Sequence, residues 1–242
     1  MNVAFRVDSS MKIGTGHVMR CLTLADKIKF EGGTSTFFCR DYEGNICSII
    51  KEQGHSIIML PLARTDNEFF NHPPDFVEKL GNSLDGDAVE TINLINDSEP
   101  DWLVVDHYDI DLVWHKKLRS VVKNILVIDD VPGKLIDCDI LLNQNYGHNV
   151  KDYDGLVPTT CQLLLGPKYA LLRPQFNNLR DKAIVKRSNT NVIKNVLISF
   201  GGLDANNLTS LVLDTLEALK LTNFLKVNVV LGVHAPYYQE LI

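Results

Sequence analysis

Residues 8–20, DSSMKIGTGHVMR, set two glycines and a histidine between an apolar run and a helical pattern. Gly14 and Gly16 let the backbone turn tightly and approach a ligand closely. A helix that starts there, just past Thr15, offers free N–H groups to anionic oxygens. His17 opens that helix toward the crevice. The positive helix end resists its protonation, which favours a neutral imidazole able to act as a base; the bland alternative is a histidine that caps the helix and does no chemistry. The dinucleotide pattern G-x-G-x-x-G fails, because Met19 stands at the third glycine and Arg20 follows. No acid ends the next strand, where Cys39 and Arg40 stand, so no nicotinamide and no other cofactor is expected.

Other polar groups fall where apolar runs stop. Asp106, His107 and Tyr108 close one run; Asp106 reads as a structural acceptor or a ligand contact, His107 as buried or facing the crevice, and Tyr108 as positioning a water or a sugar hydroxyl. Asp129 and Asp130 resemble a metal or acid pair, but neighbours on a strand point to opposite faces, so no metal site is expected. Asn143 and Asn145 follow a further short run. Gly201, Gly202 and Asp204 repeat the strand-to-glycine-to-helix logic, as an N–H cradle for a diphosphate or as an ordinary turn.

The elements that must position these groups alternate. Strands are read over 2–7, 35–39, 56–60, 102–105, 125–128, 140–142 and 162–165, with helices over 18–30, 44–52, 87–96 and 110–122. Residues 61–84, polar and containing Pro73 and Pro74, read as a loop or lid. Such alternation implies a Rossmann-like parallel sheet covered by helices on both faces, with ligands at the carboxyl ends of the strands. A basic, aperiodic stretch over 181–194 reads as a linker. Residues 1–183 then form the first domain, 184–194 the connection and 195–242 the start of a second Rossmann-like domain, with strands over 195–200 and 226–231 around a helix over 206–219.

The chain has 242 residues, 45% of them hydrophobic and 22% charged, with a net charge of -6. That balance suits a globular protein and gives no basic face for nucleic acid. No apolar run approaches the roughly 18 residues of a membrane span. Cys21, Cys39, Cys47, Cys138 and Cys161 form no C-x-x-C pair, so free thiols and a cytoplasmic setting are expected.

The segments FRVDSSMKIGTGHVMRCLTLA, LVVDHYDIDLVWHKKLR, CDILLNQN, DYDGLVP, LLLGPKYALLRPQF and ISFGGLDANNLT, in order along residues 2–210, resemble the UDP-2,4-diacetamido-2,4,6-trideoxy-β-L-altropyranose hydrolases of bacterial pseudaminic acid synthesis. The resemblance implies an α/β, GT-B-like fold of two facing Rossmann-like domains. It implies that water cleaves the sugar C1–O bond of the UDP-sugar with inversion, with His17 as base and Tyr108 at the reaction centre. Gly201 and Gly202 would lie near the diphosphate, and Arg20 and Arg173 are expected among the substrate contacts with Gly14, Thr15, Gly16, Asp106, His107, Asn143, Asn145 and Asp204. The competing readings are a GT-B glycosyltransferase and a non-catalytic nucleotide-sugar-binding fragment. Family residues further along a second domain find no match here, so this chain is expected to bind UDP weakly and turn over poorly.

Overall fold

The computed structural model describes residues 1–62, 84–96, 98–204, 206–232 and 235–241. The chain divides into two compact units, Met1–Leu171 and Leu172–Ile242. Most of the expected loop or lid over 61–84 lies outside the described residues.

The first unit is built on β1 (Asn2–Val7), β2 (Thr34–Arg40), β3 (Ser56–Leu60), β4 (Trp102–Asp106), β5 (Asn124–Ile128), β6 (Ile140–Asn143) and β7 (Gln162–Leu165). They form one parallel sheet in the order β3-β2-β1-β4-β5-β6-β7. Helices α1 (Gly16–Phe30), α2 (Cys47–Glu52), α3 (Leu84–Ile95) and α4 (Leu112–Leu118) connect them. Alternation along β1 divides the core: Val3, Phe5 and Val7 pack with Val18, Cys21 and Leu22 of α1, while Ala4 joins Leu103, Val105 and Trp114 on the other face. Helix α1 forms because Val18, Cys21, Leu22, Ala25 and Ile28 make one buried stripe at helical spacing. Helix α4 starts at Asp111, whose carboxylate accepts from the Val113 and Trp114 N–H groups, and it ends four residues earlier than the pattern predicts.

The strand order reverses between β1 and β4, which places a crevice at their carboxyl ends. Asp8 leaves one of these strands and Asp106 ends the other, so both carboxylates stand at the switch point.

The second unit holds α5 (Pro174–Ser188), β8 (Asn195–Ile198), α6 (Leu208–Ala218) and β9 (Lys226–Val229), with β8 and β9 parallel. The segment read as a linker from 181 is helical as far as Ser188, and the division between units falls earlier, after Leu171. The physical reason is that α5 buries none of its residues, so no apolar stripe marks it in the sequence. Pro174 at its first position supplies a preset φ for the helix start. No helix among the described residues is long and apolar enough to cross a membrane.

Candidate active site

The glycine loop is a closed turn. Ser10 Oγ accepts from the Lys12 and Ile13 N–H groups, and the Gly14 N–H donates to the Ser10 carbonyl at 2.9 Å. Gly14 sits at φ +81°, where a side chain would be strained. Thr15 precedes α1 without a side-chain cap, and His17 follows in the first turn.

His17 Nδ1 lies 2.7 Å from Asp106 Oδ1. One turn on, Arg20 grips the same carboxylate with both arms: Nε to Oδ2 and Nη2 to Oδ1, each at 2.6 Å. Asp106 is buried, which would raise its carboxyl; the Arg20 and His17 hydrogen bonds outweigh that and hold it below the usual carboxylate range. A carboxylate so engaged has no lone pair left pointing at a ligand. Asp106 therefore orients the imidazole, and its Nδ1 contact leaves Nε2 as the ring nitrogen without a protein hydrogen bond among the described residues.

Arg20 also reaches Asp130, Nη1 to Oδ2 at 2.7 Å. The Tyr108 hydroxyl donates to the same Asp130 oxygen at 3.1 Å, and Asn145 Nδ2 donates to its partner oxygen at 3.1 Å. The Tyr108 ring meets the His17 ring edge-on, with centroids 4.7 Å apart. Burial and the neighbouring Asp130 push the Tyr108 phenol up to about 12, so it stays a donor at neutral pH. Asp106, Arg20, Asp130 and Tyr108 thus form one hydrogen-bonded chain around His17.

His107 behaves differently. Its Nδ1 accepts from the Asp109 N–H at 3.1 Å, and its Nε2 lies 3.2 Å from Asp8 Oδ2, close enough for an ion pair although neither atom has a hydrogen-bond partner among the described residues. Asn143 is fully buried, donating to the Tyr153 hydroxyl at 2.9 Å and accepting from the Asn145 N–H at 3.0 Å; it supports the wall without facing a ligand. Tyr153 in turn donates to Asp129 Oδ2 at 3.0 Å, while burial raises the Asp129 carboxyl.

Asp8, His17, Asp106, Tyr108, Asp129 and Lys134 line a pocket of about 630 Å³. Asp130 is read from the sequence only as half of a possible acid pair with Asp129, and Lys134 is not singled out there. Their partners Arg20 and Tyr108 lie 110 and 26 positions away, so no local pattern shows these pairings. Among the described residues no group of three or more His, Cys, Asp or Glu is arranged to hold a metal ion.

The remaining expected contacts belong to the second unit. Gly201 sits at φ +81° and the Gly202 carbonyl accepts from the Gly232 N–H at 2.9 Å. A Cβ on Gly232 would meet that carbonyl oxygen at 2.3 Å, so the two loops pack backbone to backbone. Asp204 caps α6, accepting from the Leu208 and Thr209 N–H groups at 2.9 Å each. Each of its oxygens accepts one N–H in that cap. Arg173 precedes α5 with its guanidinium 5.6 Å from the Phe176 ring centre.

No family model matches the chain. It is 30% identical over 244 residues to an uncharacterised protein of Methanocaldococcus jannaschii, covering 100% of this chain and 44% of that protein. It is 32% identical over 223 residues to the UDP-2,4-diacetamido-2,4,6-trideoxy-beta-L-altropyranose hydrolase of Campylobacter jejuni, covering 91% of this chain and 68% of the relative. The chain therefore spans less than half of one relative and about two thirds of the other. Among solved structures, MurG of Acinetobacter baumannii superposes with a TM-score of 0.54 at 11% identity, over 96% of this chain and 68% of that one. A glycosyltransferase of Rickettsia africae superposes with a TM-score of 0.51 at 12% identity, again over 96% and 68%. The fold is thus the GT-B-like α/β architecture. In sequence and over most of its length, the chain belongs to the family of UDP-2,4-diacetamido-2,4,6-trideoxy-beta-L-altropyranose hydrolases.

Proposed function

We propose that the protein cleaves the sugar C1–O bond of a UDP-linked 2,4-diacetamido-2,4,6-trideoxy sugar with water, releasing the free sugar and UDP. The observation that carries this reading is His17, held through Nδ1 by the buried Asp106 and lining the pocket with Nε2 unengaged. Nε2 takes a proton from water as its oxygen bonds to C1. The bond from C1 to the phosphate oxygen breaks, and its electron pair leaves with UDP. Attack from the face opposite UDP inverts C1. Water is a poor nucleophile at neutral pH, so a positioned base is worth roughly 10²–10⁴-fold. The leaving diphosphate needs charge stabilisation more than protonation. The sugar's place on the route to pseudaminic acid is part of this proposal.

Incubating the protein with the UDP-sugar and no acceptor tests it: UDP and free sugar appear in equal amounts. UDP release that requires an added sugar acceptor would make the protein a transferase instead, and binding without any release would make it a binding module.

Tyr108→Phe removes the hydrogen bond to Asp130 and loosens the chain around His17. A loss of about 1.5 kcal/mol corresponds to roughly tenfold in kcat. KM should change little, and a raised KM with unchanged kcat would make Tyr108 a uniform binding contact instead.

Turnover should survive dialysis against EDTA. Asp129 and Asp130 spend their oxygens on Tyr153 and on Arg20, Tyr108 and Asn145. Activity lost on dialysis and restored by Mg²⁺ would show that these carboxylates rearrange around a cation.

A further inference from the structure

Part of the pocket wall takes no part in moving the proton. Asp109, Lys134, Val131, Pro132 and Ile13 line it beside His17 and Tyr108. Asp109 lines the pocket, and its buried Oδ2 has no hydrogen-bond partner among the described residues. A carboxylate short of partners in a half-buried setting favours an incoming N–H donor. Lys134 Nζ donates to the Tyr108 carbonyl at 2.8 Å and lies 3.5 Å from that of His107. An ammonium has three N–H groups, so one remains for a ligand. Burial pushes the Lys134 ammonium down from its usual range, and the attraction of Asp129 and Asp109 partly restores it. Val131, which lines the pocket, is 65% exposed.

An acceptor, a donor and an apolar surface in one pocket match the three parts of an amide substituent: its N–H, its carbonyl and its methyl. We infer that this wall is an N-acyl subsite. Asp109 accepts from the N–H of a sugar acetamido group, Lys134 donates to its carbonyl, and Ile13, Val131 and Pro132 cover its methyl. A hydroxyl in place of the acetamido group would satisfy Asp109 but leave Lys134 and the apolar surface unmatched. The subsite rests on the reading of this pocket as the sugar site, and it adds which residues discriminate an N-acylated sugar from a hydroxylated one.

Saturation-transfer NMR with the free 2,4-diacetamido-2,4,6-trideoxy sugar as probe tests the subsite. With the wild-type protein, one acetyl methyl receives stronger saturation than the other. Lys134→Met and Asp109→Ala each weaken the sugar by about fivefold, the worth of one hydrogen bond, and remove the preference between the two methyls. Lys134→Arg restores it. Val131→Ser, at a position too exposed to threaten the fold, lowers saturation of the favoured methyl alone. Unchanged methyl saturation across Lys134→Met, Asp109→Ala and Val131→Ser overturns the subsite, as does absence of any saturation at millimolar sugar. The hydrolase reading stands or falls separately, on UDP release without an acceptor.

Discussion

His17→Ala leaves the fold in place and lowers turnover by about a hundredfold or more, the loss expected for a general base. The fold survives because the imidazole is not what satisfies Asp106. With the ring gone, Arg20 still holds both carboxylate oxygens at 2.6 Å, so no buried charge is stranded. The apolar stripe of α1 from Val18 to Ile28 is untouched. KM stays near its wild-type value, since the ring acts on the water rather than on the bound UDP-sugar. Circular dichroism and a thermal melt establish that the variant is folded, and UDP release gives the rate. Turnover within a few-fold of wild type in a folded variant would remove His17 from the role of base and, with it, the mechanism proposed above.

Much of this site can be read from sequence because its pieces fall at strand ends. The apolar runs of β1, β4 and β5 stop at Asp8, Asp106 and Asp129, and a parallel sheet must bring those ends to one edge. Strands 56–60 and 162–165 match the structure residue for residue, since turn residues bound each of them. Pairings across the chain are another matter. Nothing local shows that His17 meets Asp106, 89 positions on, or that Arg20 meets Asp130 across 110. Asp106 reads as a structural acceptor or a ligand contact in the sequence because its place at the crevice is visible while its partners His17 and Arg20 are not. Helix α5 escaped for the opposite reason: periodicity reports a buried face, and α5 has none. The same limit hid the most buried charges in the first unit. Arg6 alternates with Phe5 and Val7 as though it were surface, yet it is 0% exposed.

Asp87→Ala should destabilise the first unit by about 3–5 kcal/mol, the cost of breaking a buried ion pair from one side. Asp87 on α3 is the hub of a buried network. Arg6 reaches it through Nη2 at 2.7 Å and Nε at 3.3 Å, Arg40 through Nη2 at 2.7 Å and Nε at 3.1 Å, and Trp114 Nε1 donates to it at 2.8 Å. These bonds tie β1, β2 and α4 to one carboxylate. Arg6 keeps Asp8, 2.8 Å from Nη1, and Arg40 keeps Glu90, 2.8 Å from Nη2. The alanine therefore leaves two guanidinium groups half-neutralised out of water and the indole N–H without its acceptor. Burial would raise the Asp87 carboxyl, but Arg6 and Arg40 overcome it and hold it below the usual range. The pH dependence follows from that direction. A carboxyl lowered on folding contributes its full stability above the unfolded value near 3.9, and loses it as pH falls through the lower folded value. The wild-type protein should thus lose stability steeply below about pH 4, while the alanine variant, weak already at neutral pH, shows a shallower acid limb. Urea unfolding at pH 7 and at pH 3.5 measures both. A variant that unfolds at the wild-type urea midpoint would mean that the two arginines find other partners, and that the network does not hold α3 against the sheet. Because Asp8 of the same network lies 3.2 Å from His107 beneath the pocket, the variant should also lose turnover at temperatures where the wild type is still folded, ahead of any change in the second unit.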